Sequence, residues 1–295
     1  MKQDKVIGID IGGTSTKFGV VNSEGQILGQ GSLVTCETED PAHFVERLKS
    51  TLRPLMNGVS SIGVGAPNGN FFSGSIELAP NLKWKGIVPM AKMIEEALGV
   101  PVRLTNDANA AAMGEMKFGH AKGMKNFIVI TLGTGLGSGI VINGEVVLGH
   151  SGFAGELGQI ITVPEGRLCG CGRKGCLETY ASATGIMRTA HEYGLNVKDA
   201  AALAQAALEG NQKALECFEY TGELLGRSLA NAVAFSSPEA IFLFGGLVKS
   251  GDLLMKPTQK HFEKNLHNVF QGTVKLLPSG LKESDAAILG AASLF

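Results

Sequence analysis

Residues 103–115, Arg-Leu-Thr-Asn-Asp-Ala-Asn-Ala-Ala-Ala-Met-Gly-Glu, put one carboxylate, Asp107, where a strand signal meets a helix signal. Val100 to Leu104 reads as a short strand entered through Pro101. Ala108 to Met116 is an Ala-rich run of high helix propensity. A carboxylate at a helix N-terminus is favoured in its charged form by the helix dipole. In open α/β sheets the C-terminal edge of the strands is also where ligands bind. An isolated Asn-Asp pair would serve only as an N-cap, with Asp107 in that place. The company of Asn106 and Asp107 argues for chemistry instead.

That company begins with Val6 to Asp10, a buried-strand signal, followed by Ile11-Gly12-Gly13-Thr14-Ser15-Thr16-Lys17 and renewed β character from Phe18 to Val21. The glycine-rich loop therefore joins strand to strand, whereas a Walker loop or a dinucleotide fingerprint would open a helix. No G-x-x-x-x-G-K-[ST] occurs, nor any G-x-G-x-x-G placed between a strand and a helix. Bare backbone N–H groups in such a hairpin can cradle phosphate. Asp10 could hold Mg²⁺ directly or through water, and Lys17 could neutralise phosphate charge. A tight hairpin with glycines for turn geometry alone is the other reading.

An internal repeat raises the value of this loop. Residues 127–143, Phe-Ile-Val-Ile-Thr-Leu-Gly-Thr-Gly-Leu-Gly-Ser-Gly-Ile-Val-Ile-Asn, align without a gap on the first loop at a shift of 121. Gly133 falls on Gly12, Thr131 on Asp10 and Asn143 on Asn22. Two strand–loop–strand units, one per half, imply a duplicated architecture with two phosphate loops facing one nucleotide across a cleft. Ile241-Phe-Leu-Phe244-Gly245-Gly246 is a further buried strand ending in paired glycines, a turn that lets adenine or ribose approach the backbone.

The densest polar stretch, His150 to Ser182, contains Gly155-Glu156-Leu157-Gly158-Gln159 and then Cys169-Gly-Cys171-Gly-Arg-Lys-Gly-Cys176-Leu-Glu178. C-x-C-x₄-C is compact thiolate spacing, able to give three ligands of a tetrahedral structural zinc; three reduced cysteines in a glycine-rich loop is the alternative. Glu156 and Glu178 could accept hydrogen bonds from substrate hydroxyls, or be solvated surface charges.

Around these residues the expected elements are helices over Asp40–Leu55, Pro89–Leu98, Lys198–Glu209, Gln212–Ser236 and Leu281–Phe295, with a strand over Ile62–Ala66 and Trp84 as core filler. A chain of 295 residues is long for one core, so two domains are expected. A hydrophobic fraction of 44% with 18% charged residues is globular composition. The net charge of −1 provides no electrostatic footprint for nucleic acid or an anionic membrane. Five cysteines, three of them within eight residues, do not read as a secreted disulfide framework; with no signal peptide and no membrane span, a cytoplasmic protein is expected.

Together these motifs resemble the ROK family of sugar kinases over essentially the whole chain. Ile-Asp-Ile-Gly-Gly-Thr at 9–14 is similar to the first phosphate motif of the actin/hexokinase/Hsp70 superfamily, Thr131-Leu-Gly133-Thr134-Gly135 to the second, and Phe244-Gly245-Gly246 to the adenosine motif. Gly155-Glu156-Leu157-Gly158 and Cys-Gly-Cys-Gly-x-x-Gly-Cys-x-Glu are the most family-specific pieces, while Asn81-Leu82-x-Trp84 and the Asn106 segment look most like the glucokinase branch. The resemblance implies two ribonuclease-H-like α/β lobes, 1–108 plus 282–295 and 109–281, with a nucleotide- and sugar-binding cleft between them.

It further implies ATP-dependent phosphorylation of a hexose at its 6-hydroxyl, glucose first, with N-acetylmannosamine, N-acetylglucosamine or fructose as runners-up. Asp107 would be the general base, Asn106, Glu156, Gln159 and Glu178 would hold the sugar, and Asp10, Gly12, Gly13, Thr14, Lys17, Thr131, Gly133, Thr134, Gly135, Gly245 and Gly246 would bind ATP and Mg²⁺. Cys169, Cys171 and Cys176 would hold zinc, and a homodimer is expected. One position departs from the family pattern: the histidine that follows Gly-Glu-x-Gly, which ligates zinc and touches the sugar, is Gln159 here. An amide oxygen is a poor zinc ligand beside imidazole, though Gln159 can still bond a sugar hydroxyl. A sugar-sensing repressor of the family would carry a DNA-binding domain ahead of the first phosphate motif, where only five residues precede Val6. An actin-like or chaperone-like ATPase would have no use for the Asn-Asp segment or the Glu/Cys loop.

Overall fold

A computed structural model describes residues 5–35 and 40–295. The chain divides into two compact units, one comprising 1–123, 146–154 and 280–295, the other 124–145 and 155–279.

In the first unit, β1 (Lys5–Ile11), β2 (Ser15–Val21) and β3 (Ile27–Val34) form an antiparallel meander, followed by α1 (Pro41–Leu52). Asp40 caps α1 by accepting from the Ala42 N–H at 2.9 Å. The expected helix to Leu55 tightens into a 3₁₀ turn after Leu52: Arg53 keeps helical dihedrals, but Pro54 supplies no N–H to continue the α ladder. Then come β4 (Val59–Ala66), the short strands β5 (Gly69–Asn70), β6 (Ser75–Glu77) and β7 (Ile87–Val88), α2 (Met90–Leu98), β8 (Val102–Asn106) and α3 (Asp107–Phe118). The main sheet runs β3-β2-β1-β4-β8, with β4 parallel to both β1 and β8. Its core gathers Ile7, Ile9, Ile62, Val64 and Leu104 with Phe44 and Leu48 of α1; Trp84 is buried there, 4.9 Å from the Phe44 ring.

The second unit repeats this plan. It contains β9 (Phe127–Leu132), β10 (Leu136–Ile142), the first residue of β11 (Glu145–Val146), α4 (Ala183–Glu192), α5 (Ala200–Leu208), α6 (Gln212–Ser236), β12 (Ala240–Phe244), α7 (Asp252–Asn265) and β13 (Lys275–Pro278). Its sheet order, β11-β10-β9-β12-β13, matches the first position for position, with β12 parallel to β9 and β13. The duplication is thus present in topology, but the two hairpins differ by one residue. In the first hairpin Asp10 faces Lys17 and Ile11 faces Thr16. In the second Thr131 faces Gly137 and Leu132 faces Leu136. The shift of 121 therefore holds up to the loop and becomes 120 beyond it, because the second turn is one residue shorter. Register governs which face each side chain takes, so this difference sets what each loop presents.

The last helix, α8 (Glu283–Ala292), belongs to the first unit, packed on β1, β4 and α3. The first unit also keeps α3, whereas the sequence places a boundary after 108. Gly114 of α3 lies so close to Gly290 of α8 that a Cβ would sit 2.8 Å from its Cα. The buried Glu115 carboxylate also accepts from the backbone N–H of His120 and of Gly280, at 2.7 and 2.9 Å. No helix among the described residues is long and apolar enough to cross a membrane.

Candidate functional site

The sequence-derived residues fall on both units, and each half has its own geometry. In the first unit, β1, β4 and β8 run side by side and end together, pairing Asp10 with Gly65 and Ala66 with Asn106. Asp10 and the Asn106–Asp107 step therefore leave neighbouring strand ends on one sheet edge. Gly65 between them was not singled out in the sequence. A Cβ there would sit 3.3 Å from that of Ala110 and 3.7 Å from the Cα of Asp107, so glycine lets the start of α3 settle against the strand end.

At that start, Asn106, and not Asp107, is the N-cap. Its backbone is extended, and its Oδ1 accepts from the Ala108 N–H at 2.8 Å. Asp107 is already helical, and its own Oδ1 shares the same N–H at 2.8 Å. Capping therefore occupies one oxygen of each residue and leaves the Asn106 amide NH₂ and Asp107 Oδ2 for other partners. The Asp107 side chain is exposed by area, yet enough protein surrounds it that desolvation raises its carboxyl above the usual range, against the lowering effect of the Ala108 N–H.

Desolvation, with the nearby charge of Asp107, pushes the Asp10 carboxyl up to about 6, while Lys17, its cross-strand neighbour, pulls the other way. Lys17 and Thr14 are exposed. Gly12 donates to the Ser15 carbonyl at 3.1 Å to close the turn, and a Cβ on Gly13 would meet the Asn81 carbonyl oxygen at 2.6 Å.

Two raised carboxyls on one edge carry a pH signature. Asp10 titrates near 3.8 when unperturbed and near 6 when folded. Between those values the folded state holds the proton more tightly, so the stability contributed here is present at low pH and lost as pH rises through the window. Asp10→Asn is accordingly expected to melt above the wild type at pH 7.5 without divalent metal, the gap closing toward pH 4. Melting curves across that range check it, and a pH-independent gap would clear Asp10 of the role.

In the second unit, Thr131 Oγ1 accepts from the Gly137 N–H across the hairpin at 3.1 Å, using a hydroxyl where the first hairpin has a carboxylate. Gly133 donates to the Gly135 carbonyl at 3.0 Å, and Thr134 at the tip is exposed. Gly245, at φ 112°, would press a Cβ to 2.6 Å from the Leu132 carbonyl oxygen. The Gly245–Gly246 turn therefore lies directly against the strand end that launches the second loop.

The Glu/Cys segment is tied to the same loop. Gly155 and Gly158 pack on β10, where Cβ atoms would stand 2.9 Å from the Ser138 carbonyl oxygen and 2.2 Å from that of Leu136. Glu156 is exposed between them. Glu178 Oε2 accepts from the Leu136 N–H at 3.0 Å, and a Cβ on Gly135 would come within 2.4 Å of it. This half-buried glutamate thus braces the second loop with one oxygen, a role that the sequence pattern did not signal. The other oxygen lies 4.0 Å from Cys169 Sγ.

The three sulfurs of Cys169, Cys171 and Cys176 all lie within 4.8 Å of one another, Cys171 and Cys176 at 3.6 Å. Gln159 Oε1 is 3.5 Å from Cys169 Sγ. Desolvation drives the Cys176 thiol up to about 12; at Cys171 it is outweighed by hydrogen bonds from Arg173, leaving that thiol at about 7. Arg167 anchors the segment with bonds to the Thr179 and Gly185 carbonyls and the Glu192 carboxylate, its guanidinium 4.3 Å from the Tyr180 ring centre.

The model of the ROK family matches residues 6–295. A glucokinase from Halalkalibacterium halodurans is 37% identical over 283 residues, covering 87% of this chain and 84% of that relative. One from Streptomyces coelicolor is 35% identical over 308 residues, covering 98% and 96%. The crystal structure of a ROK family glucokinase from Streptomyces griseus, in complex with glucose and AMPPNP, superposes with a TM-score of 0.84 at 33% identity, over 98% of both chains. Paired glycine hairpins on duplicated sheets, a Glu/Cys segment braced on the second of them and a full-length match lead to one assignment: the chain belongs to the ROK family.

Proposed function

We propose that this protein is an ATP-dependent hexose 6-kinase acting on glucose. The observation that carries the reading is Asp107: a carboxylate at the C-terminal ends of the parallel strands β1, β4 and β8, its Oδ1 accepting from the Ala108 N–H and its carboxyl raised by desolvation. Asp107 Oδ2 accepts the proton of the sugar 6-hydroxyl as that oxygen bonds to the γ-phosphorus of ATP and ADP departs. A base placed this way is worth about 10²–10⁴-fold. A raised carboxyl suits the role, because its affinity for the proton increases.

The remaining acceleration comes from holding sugar and phosphate in line. Gly12, Gly13 and Thr14, with Gly133, Thr134 and Gly135, offer backbone N–H groups to the phosphates, Lys17 a positive charge, and Gly245–Gly246 a bare surface for the adenosine. Thr131 keeps the second hairpin closed. Asp10 would hold Mg²⁺, which would supply charge neutralisation at the phosphates. The Asn106 amide, Glu156, Gln159 and Glu178 Oε1 address the sugar hydroxyls. A homodimer in the reducing cytosol completes the reading, in keeping with the family resemblance.

The cysteine cluster fits zinc. Tetrahedral Zn–S bonds of about 2.3 Å require sulfurs about 3.8 Å apart, and the Cys171–Cys176 pair lies at 3.6 Å. Zinc there would staple the loop that leads into Glu178, with Gln159 as a weak fourth donor. Metal analysis is expected to find about one zinc per chain, lost in Cys176→Ser; metal-free wild type would leave the cysteines as plain thiols.

The test is ADP release with Mg-ATP against glucose, N-acetylmannosamine, N-acetylglucosamine, mannose and fructose in parallel. Preference for glucose is expected. Preference for an N-acetyl sugar would move the substrate, and no turnover with any of them would sink the kinase reading.

A further inference from the structure

The second hairpin is held from outside by the segment that follows the cysteine cluster. Beyond the Glu178 brace, the Ala183 N–H donates to the Gly133 carbonyl at 2.8 Å, and the Thr184 hydroxyl donates to the Thr134 carbonyl at 2.7 Å. Ser182 caps α4 through the Gly185 N–H at 2.9 Å, donates to the Glu178 carbonyl at 2.7 Å and lies 3.1 Å from the Thr184 hydroxyl. The loop carbonyls at 133 and 134 and the N–H at 136 are thus all engaged by residues 178–184.

A phosphate loop works through the direction of its N–H groups, and each peptide plane couples an N–H to the carbonyl of the preceding residue. Tying the Thr134 carbonyl down fixes the same plane that carries the Gly135 N–H. Gly135 is flanked on its other side by the Glu178 carboxylate. The carbonyl being pulled toward Thr184, the attached N–H must point the other way. Thr184 is exposed, so its hydroxyl is not needed to fill a core, and a local capping role is already taken by Ser182.

We propose that Thr184 is a positioning residue for the nucleotide: its hydroxyl holds the Thr134–Gly135 peptide in the orientation that receives ATP phosphate. The proposal rests on the kinase reading, in which residues 131–135 bind phosphate. It assigns Thr184 no contact with ATP, and it separates the loop's conformation from the loop's sequence.

The experiment compares Thr184→Val, which keeps shape and loses the hydroxyl, with Thr184→Ser, which keeps the hydroxyl, each assayed for KM of ATP and of glucose and for melting temperature without nucleotide. Losing one such bond is expected to raise the ATP KM of Thr184→Val about five- to tenfold, with glucose KM unchanged and melting temperature close to wild type. Thr184→Ser is expected to restore the wild-type ATP KM. An unchanged ATP KM in Thr184→Val would overturn the proposal, as would an equal rise in both KM values or a failure of serine to rescue. Thr184→Ala serves the same comparison if the valine crowds the helix start. Wild-type protein that turns over no sugar would instead count against the kinase reading itself, and AMPPNP titration of the same variants then reads the loop directly: Thr184→Val binding as tightly as wild type would overturn the positioning role.

Discussion

Asp107→Asn is expected to reduce kcat by about 10²–10⁴-fold with little change in glucose affinity. Asparagine keeps the size of aspartate, and its amide oxygen can still share the Ala108 N–H, so the start of α3 keeps its geometry. It removes only the ability to take a proton. The raised carboxyl of the wild type shows that its ionised form is poorly solvated where it stands, so the substitution relieves that cost and melting temperature is expected to hold or rise. Glucose binding measured by calorimetry separates the two halves of the claim. Near wild-type turnover in Asp107→Asn would remove it from the base role, and lost sugar binding would recast it as a ligand.

The largest structural effect is expected from Gly63→Ala, a destabilisation of about 3 kcal/mol or more by overpacking. Gly8 on β1 and Gly63 on β4 are register partners, and α8 lies directly on both. A Cβ on Gly63 would stand 1.8 Å from the Ala291 carbonyl oxygen, and one on Gly8 2.0 Å from that of Ile288. Both obstacles are helix backbone, so no rotamer change relieves the clash. Either α8 lifts from the sheet or the sheet bends. Since α8 also packs on α3, the disturbance reaches the helix that begins at Asp107. Gly29→Ala on β3 is the control, with nothing within 4 Å of its added methyl. Urea titration checks the pair: Gly63→Ala within 1 kcal/mol of wild type, on the scale of a tolerated core change, would mean the helix is not seated as described.

Local signals sufficed wherever a residue's role depends on its near neighbours. The Asp-Pro cap at 40–41, the Asn-Asp step before an Ala-rich run and the two glycine hairpins were all legible, because caps and turns are short-range chemistry. So was α6, expected and found over Gln212–Ser236, a periodicity long enough to outweigh any single residue. By contrast α7 was not legible. Pro257 in its interior reads as a break, yet it is buried where Gly222 of α6 leaves room, a Cβ there standing 2.7 Å from that of Pro257.

Three features belonged to the folded chain alone. The one-residue difference between the hairpins is a matter of strand pairing, which a gapless alignment of residue types does not contain. The cap of α3 went to Asn106, because hydrogen-bonding to Ala108 with an extended backbone requires knowing where β8 stops. Glu178 read as a sugar ligand and Thr184 was not singled out, and only the folding of 178–184 against the Gly133–Leu136 turn gives them partners more than 40 positions away. The motifs' resemblance to known kinases was enough to name the family, shown by the match over residues 6–295. The division of labour within that site follows from long-range hydrogen bonds and close backbone approaches, and those exist only after the chain has closed on itself.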